Sequence, residues 1–131
     1  MTVLRRALGL GAVLLVVVAV PLVAVPRTIA DRVMGQSSGD DVWIRLTGAA
    51  CIALALFHVL VIRKLDDLWW WCWALVLFDG SVAAISLTHA AVGVAEGSAA
   101  WPWWILGITA VAFTVLYLVG LANAGREKPF A

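Results

Sequence analysis

Four long apolar runs decide what this chain can fold into. A run of roughly 18 or more apolar residues is long enough to cross a hydrocarbon core of about 30 Å. The runs are "ALGLGAVLLVVVAVPLVAV" at 7–25, "WIRLTGAACIALALFHVLVI" at 43–62, a third over 68–92, and "WWILGITAVAFTVLYLVGLA" at 103–122. Lipid offers backbone N–H and C=O groups no water, so each span must satisfy them internally as a helix. The expectation is an all-α, four-transmembrane-helix bundle, a single integral membrane domain over residues 1–131. Composition agrees: 13% of residues are charged, against about 25% in soluble domains, and the mean hydropathy is +1.03. A net charge of +1 gives no field that would draw nucleic acid.

The flanks set an orientation. Arg5, Arg6, Arg63, Lys64, Arg126 and Lys128 fall on one side of such a bundle and Arg27, Arg32 and Arg45 on the other. The excess of basic residues places both termini in the cytoplasm and the chain in the plasma (inner) membrane as a multi-pass protein. The first run has the basic start of a signal peptide, but it is long and "PLVAVPR" lacks a small-x-small cleavage site, so it reads as a retained anchor. Asp40 and Asp41 precede the second run, and Asp66 and Asp67 the third; they read as helix caps in preference to a calcium site. Pro102 suits the first turn of the fourth helix, and Pro21 is expected to kink the first. Trp69, Trp70, Trp71 and Trp73 at one end, with Trp43, Trp101, Trp103 and Trp104 at the other, outline two interfacial belts in preference to an aromatic cage.

Small or polar residues recur at three- and four-residue steps, which keeps them on one helix face. The stripes are Gly9, Ala12, Val16 and Ala19; Gly48, Cys51, Ala55 and His58; Cys72, Val76, Asp79, Ala83, Ser86 and Ala90; and Gly107, Ala110, Thr114 and Tyr117. In lipid such faces mark where helices pack. Asp79 therefore faces the bundle, about 18 Å along its helix at 1.5 Å per residue, near the midplane. Two polar layers are expected, Asp79 with Thr114 and His58 with Tyr117. An ionised carboxylate there costs roughly 2.5–3.5 kcal/mol unless paired. Asp79 either carries a proton and donates to a hydroxyl or carbonyl, or pairs with Arg45 leaning inward. Its bland role is to pin helix register. Asp79, His58, Tyr117, Thr114 and Arg45 are the candidates for ligand binding or proton handling, while His89 sits at the outer boundary and is expected to be wet.

The chain lacks other chemistry. Cys51 and Cys72 form no C-x-x-C pair, the histidines lie on opposite sides of the membrane, and no metal-ligand set, Ser-His-Asp pattern, P-loop or dinucleotide fingerprint occurs. No catalytic residue and no metal are expected. The stretch "WIRLTGAACIALALFHVLVIRKLDDLWWWCWALVLFDG", after a first span ending in proline and arginine, resembles the small four-helix membrane proteins of the DoxX-like group. There an R-x-x-G motif opens the second helix, here Arg45 and Gly48. Members of that group include a small subunit of a thiosulfate:quinone oxidoreductase. The resemblance implies an accessory subunit or a binder of a small hydrophobic ligand, without catalysis of its own. Lipid or a quinone is the implied bound molecule, and a membrane-protein partner or a second copy the implied neighbour. Two alternatives stand beside it. One is a redox subunit presenting a quinone to a partner oxidoreductase. The other is a small dimeric proton-coupled transporter, disfavoured because the first span holds no acidic residue.

Overall fold

A computed structural model describes residues 1–35, 41–94 and 98–127. Asp40 and Lys128, used above for capping and for orientation, lie outside the described residues. Four long helices make up the bundle: α1 (Thr2–Ala24), α2 (Val42–Arg63), α3 (Leu65–Gly93) and α4 (Trp101–Glu127). Each is long and apolar enough to cross a membrane, and no strand occurs among the described residues. The Met1 amine lies 3.0 Å from the Glu127 carboxylate, so α1 begins and α4 ends at the same end of the bundle.

The outer surface explains the composition. Val13 (63% exposed), Leu77 (71%) and Ile85 (68%) stand among many large apolar side chains that face outward. A surface of that kind suits lipid, since soluble monomers rarely show contiguous apolar patches above a few hundred Å².

The helix ends depart from expectation in three ways. α3 starts at Leu65, so Asp66 and Asp67 occupy its first turn instead of preceding it. There they still meet the positive end of the helix dipole. Asp41 holds the N-cap position of α2 but makes no capping bond; its carboxylate takes Arg45 at 3.3 Å and Arg27 at 3.8 Å. α1 runs through Pro21 to Ala24, and Val25 leaves the helical region (φ −134°, ψ 53°) just before Pro26. A residue preceding proline is pushed away from helical angles, which ends the helix there. A short helical stretch, Pro26–Thr28 followed by a π-helical turn at Ile29–Val33, leads on toward α2. Pro102 lies in the first turn of α4, as expected.

α1 packs along α2, α3 along α4, and α1 also against α4, whereas α2 and α3 hardly approach each other beyond the turn that joins them. Glycines sit where helices cross most closely. A Cβ at Gly48 would stand 2.7 Å from the Val23 side chain and 3.1 Å from the Ala19 carbonyl oxygen. One at Gly120 would stand 3.1 Å from the Leu4 backbone. Gly107 lies equally tight against Leu87. Without a hydrophobic force between helices in lipid, this close approach supplies the van der Waals contact that holds them together.

The packing face of α1 is rotated from the expected stripe. Ala12 and Ala19 are buried, but Val16 faces out and nothing lies within 4 Å of a Cβ built on Gly9; Leu4, Leu8 and Gly11 are the buried residues instead. An apolar cluster of Leu4, Leu8, Val61, Leu65, Trp69, Cys72, Leu75, Tyr117 and Leu121 fills the end of the bundle that holds Met1 and Glu127. Trp69 belongs to that core, while Trp70, Trp71 and Trp73 point outward, so one of the four tryptophans expected in that belt packs inside.

The contrast between two glycines gives a test. Gly48→Leu should lower stability by about 1–3 kcal/mol through overpacking, read by thermal unfolding in mild detergent. Gly9→Leu, on an open face, should leave the melting temperature nearly unchanged.

Candidate functional site

α2, α4 and α1 meet at a buried hydrogen bond. His58 Nε2 lies 2.8 Å from the Tyr117 hydroxyl, and His58 Nδ1 lies 2.7 Å from the Leu54 carbonyl oxygen. A carbonyl only accepts, so Nδ1 carries the ring hydrogen and Nε2 accepts from the tyrosine O–H. The imidazole is thereby fully satisfied as a neutral ring. His58 is 4% exposed and Tyr117 fully enclosed. The structure brings together the layer expected of these two residues.

Gly11 makes room for the bond. A Cβ there would stand 2.6 Å from the Tyr117 hydroxyl oxygen and 3.0 Å from His58 Nε2. Sequence reasoning passed over Gly11 in favour of Gly9. The available signal was the spacing from Leu4 and Leu8, which carries the buried face on to residue 11. Cys72, fully buried, packs in the same apolar cluster as Tyr117, and Asp79 lies in the neighbourhood of the Tyr117 hydroxyl.

Asp79 stands apart from that satisfied pair. On α3 it shares a face with Leu75, one turn before it, and Ala83, one turn after, which are 2% and 5% exposed. Asp79 itself is only half-buried. α3 lacks α2 as a second neighbour at that level, and beside Asp79 the space where a Gly80 Cβ would stand is open. Among the described residues, none forms an ion pair with Asp79 or donates a hydrogen bond to it.

Both expected partners are engaged elsewhere. Thr114 turns its hydroxyl back to the Ala110 carbonyl at 2.8 Å, the common way for a hydroxyl within a helix to satisfy itself. Arg45 stays at the far end, where one guanidinium nitrogen donates to the Val23 carbonyl at 3.0 Å and another to Asp41 at 3.3 Å. The break at Val25 explains this choice. The carbonyls of the last turn of α1 lose their helical donors, and Arg45 supplies one.

Two remaining polar side chains have local roles. His89 opens a π-helical turn at the end of α3, and its ring sits edge-on to Trp103 with centroids 4.5 Å apart. It is half-buried. Ser81 bonds back to the Leu77 carbonyl at 2.7 Å. No group of three His, Cys, Asp or Glu side chains converges on a metal-sized site among the described residues. Comparison with protein families, curated proteins and solved structures gives no match for this chain.

The two halves of the site predict opposite responses. Tyr117→Phe should cost about 1 kcal/mol, the scale of a hydrogen bond between membrane helices. Gly11→Ala should cost about 1–3 kcal/mol in the native background and clearly less beside Tyr117→Phe, because the clashing oxygen is gone. Asp79→Asn removes a charge without breaking a bond. It should hold or raise the melting temperature, and a marked fall would show a stabilising partner.

Proposed function

We propose that this chain is a DoxX-like, multi-pass protein of the plasma membrane, with both termini in the cytoplasm, that holds a small hydrophobic molecule at Asp79. It does so on its own account or for a partner subunit, and without catalysis of its own. The observation that carries the reading is Asp79: a carboxyl on the packing face of its helix, between buried neighbours, to which none of the described residues gives a hydrogen bond or ion pair. Ionisable groups within a membrane are costly and are kept chiefly for work. The excess of basic residues beside the termini supports the orientation. Arg45, Gly48 and the short basic turn before α3 support the DoxX-like assignment.

A redox subunit that presents a quinone is the second reading. It draws on the His58–Tyr117 pair, whose hydroxyl lies within the influence of Asp79. A quinone carbonyl needs a hydrogen-bond donor, which the Tyr117 hydroxyl would supply by exchanging its bond to His58 for one to the quinone.

Gentle purification from native membrane, followed by mass spectrometry of everything retained, separates the two. The binding reading expects a defined small hydrophobic molecule at near-stoichiometric amount, lost in Asp79→Asn. A retained quinone together with a flavin or haem protein would instead establish the redox subunit. Material free of any bound molecule, from both forms, would refute the binding reading.

A further inference from the structure

We infer that the molecule held at Asp79 is a lipophilic amine, bound as its ammonium form with the N–H directed at the carboxylate. This rests on the reading that the chain binds a small hydrophobic molecule, and it adds the chemical class.

The argument is a count of donors around one acceptor. Three donors of the interior, the Tyr117 hydroxyl, the His58 ring and the Thr114 hydroxyl, have each already given a hydrogen, and Ser86, a further buried hydroxyl, stands two turns farther along α3. The Tyr117 hydroxyl donates to His58 Nε2 at 2.8 Å, and His58 Nδ1 donates to the Leu54 carbonyl at 2.7 Å. Thr114 donates to Ala110 at 2.8 Å, and Ser81 donates to Leu77 at 2.7 Å. The cations are equally committed or remote. Arg45 is held at the far end of the bundle by Val23 and Asp41, and Arg27 also leans on Asp41. Arg63 and Lys64 lie at the turn between α2 and α3. A carboxylate is an acceptor with room for several hydrogen bonds, and burial without a partner is expensive. An ionised Asp79 is completed by a molecule that brings its own donor and its own positive charge.

The surroundings define the rest of the molecule. Leu75, Val76, Val82 and Ala83 flank Asp79 on α3, and Phe113 lies on the facing helix beside Tyr117, with ring centroids 5.9 Å apart. These apolar neighbours suit an alkyl or aromatic body. Gly80, next in sequence, adds no side chain on its open side of α3. A protonated amine on an apolar body meets both demands at once. To an ionised carboxylate an alcohol offers a donor without charge, and a tertiary amide or quinone carbonyl offers neither.

Three probes of equal chain length separate these classes. N,N-dimethyldecylamine, decanol and N,N-dimethyldecanamide would be titrated against the intact protein in lipid nanodiscs near neutral pH. Equilibrium dialysis against empty nanodiscs then subtracts simple partitioning into lipid. The amine should bind saturably to the native protein, at least about tenfold tighter than either uncharged probe, the loss expected when a desolvated charge goes unmatched. In Asp79→Asn that preference should vanish. The comparison among probes on the native protein stands by itself should the variant fail to fold. Equal binding of amine and amide to the native protein, or an amine preference kept in Asp79→Asn, would overturn the inference. Saturable, Asp79-dependent binding of decanol or the amide alone would overturn it too, yet leave the hydrophobic-ligand reading standing. That reading falls instead if the native purification yields no bound molecule.

Discussion

The hydrogen bond from Tyr117 to His58 is the contact on which the arrangement of the helices turns. In lipid, apolar side chains gain little by meeting one another, because the acyl chains around them are equally apolar. Orientation must come from contacts that lipid cannot replace: close backbone approach and polar groups that need each other. The His58–Tyr117 bond links α2 to α4 across α1, and α1 can lie between them because residue 11 has no side chain. The geometry is mutually restrictive. Rotating α4 takes the hydroxyl from Nε2, and rotating α1 brings a larger residue against both rings. The bond to Leu54 fixes the imidazole tautomer, so the ring can accept from Tyr117 in one orientation only.

Around that bond the bundle is uneven. Larger apolar side chains, among them Leu4, Leu8, Leu75 and Trp69, interlock toward the end that holds Met1 and Glu127. Toward the other end the contacts are made by small residues, with Gly48 on α1 and Gly107 on α3. α2 and α3 are neighbours in sequence, and Phe57 meets Trp71 edge-on at 6.1 Å near their turn. Farther along they separate. A helix with fewer neighbours leaves part of its packing face incompletely covered, and on α3 that part is where Asp79 lies.

The number and placement of the spans were legible because lipid imposes so few solutions: an apolar run of that length must be helical. The faces of α2, α3 and α4 were legible because each carries polar residues among its small ones, and His58, Asp79, Thr114 and Tyr117 set the phase. α1 has no such marker between Ala7 and Ala24. With Val and Leu on all sides, a stripe through Gly9 and Val16 reads as well as the true one through Leu4, Leu8 and Gly11. Asp66 and Asp67 misplaced the start of α3 for a related reason, since hydropathy ends a run at charge although a helix welcomes carboxylates in its first turn. The destination of Arg45 was not legible at all. It depends on a carbonyl freed where α1 ends before Pro26, which is a property of backbone geometry and not of residue type.

His58 and Asp79 show why an intramembrane polar residue cannot be interpreted by type alone. Both lie on packing faces, and either could be assigned a role from composition. His58 has a partner at each nitrogen, so its polarity is accounted for within the fold, and its removal is chiefly a matter of stability. Asp79 has the same kind of position with its valence unfilled. Thr114 bonds back within its own helix, and Ser81, two residues on from Asp79, lies on another, exposed face of α3 and bonds back to Leu77. His58 is thus tied to the packing of α1, α2 and α4, whereas among the described residues no ion pair or hydrogen bond gives Asp79 a comparable tie.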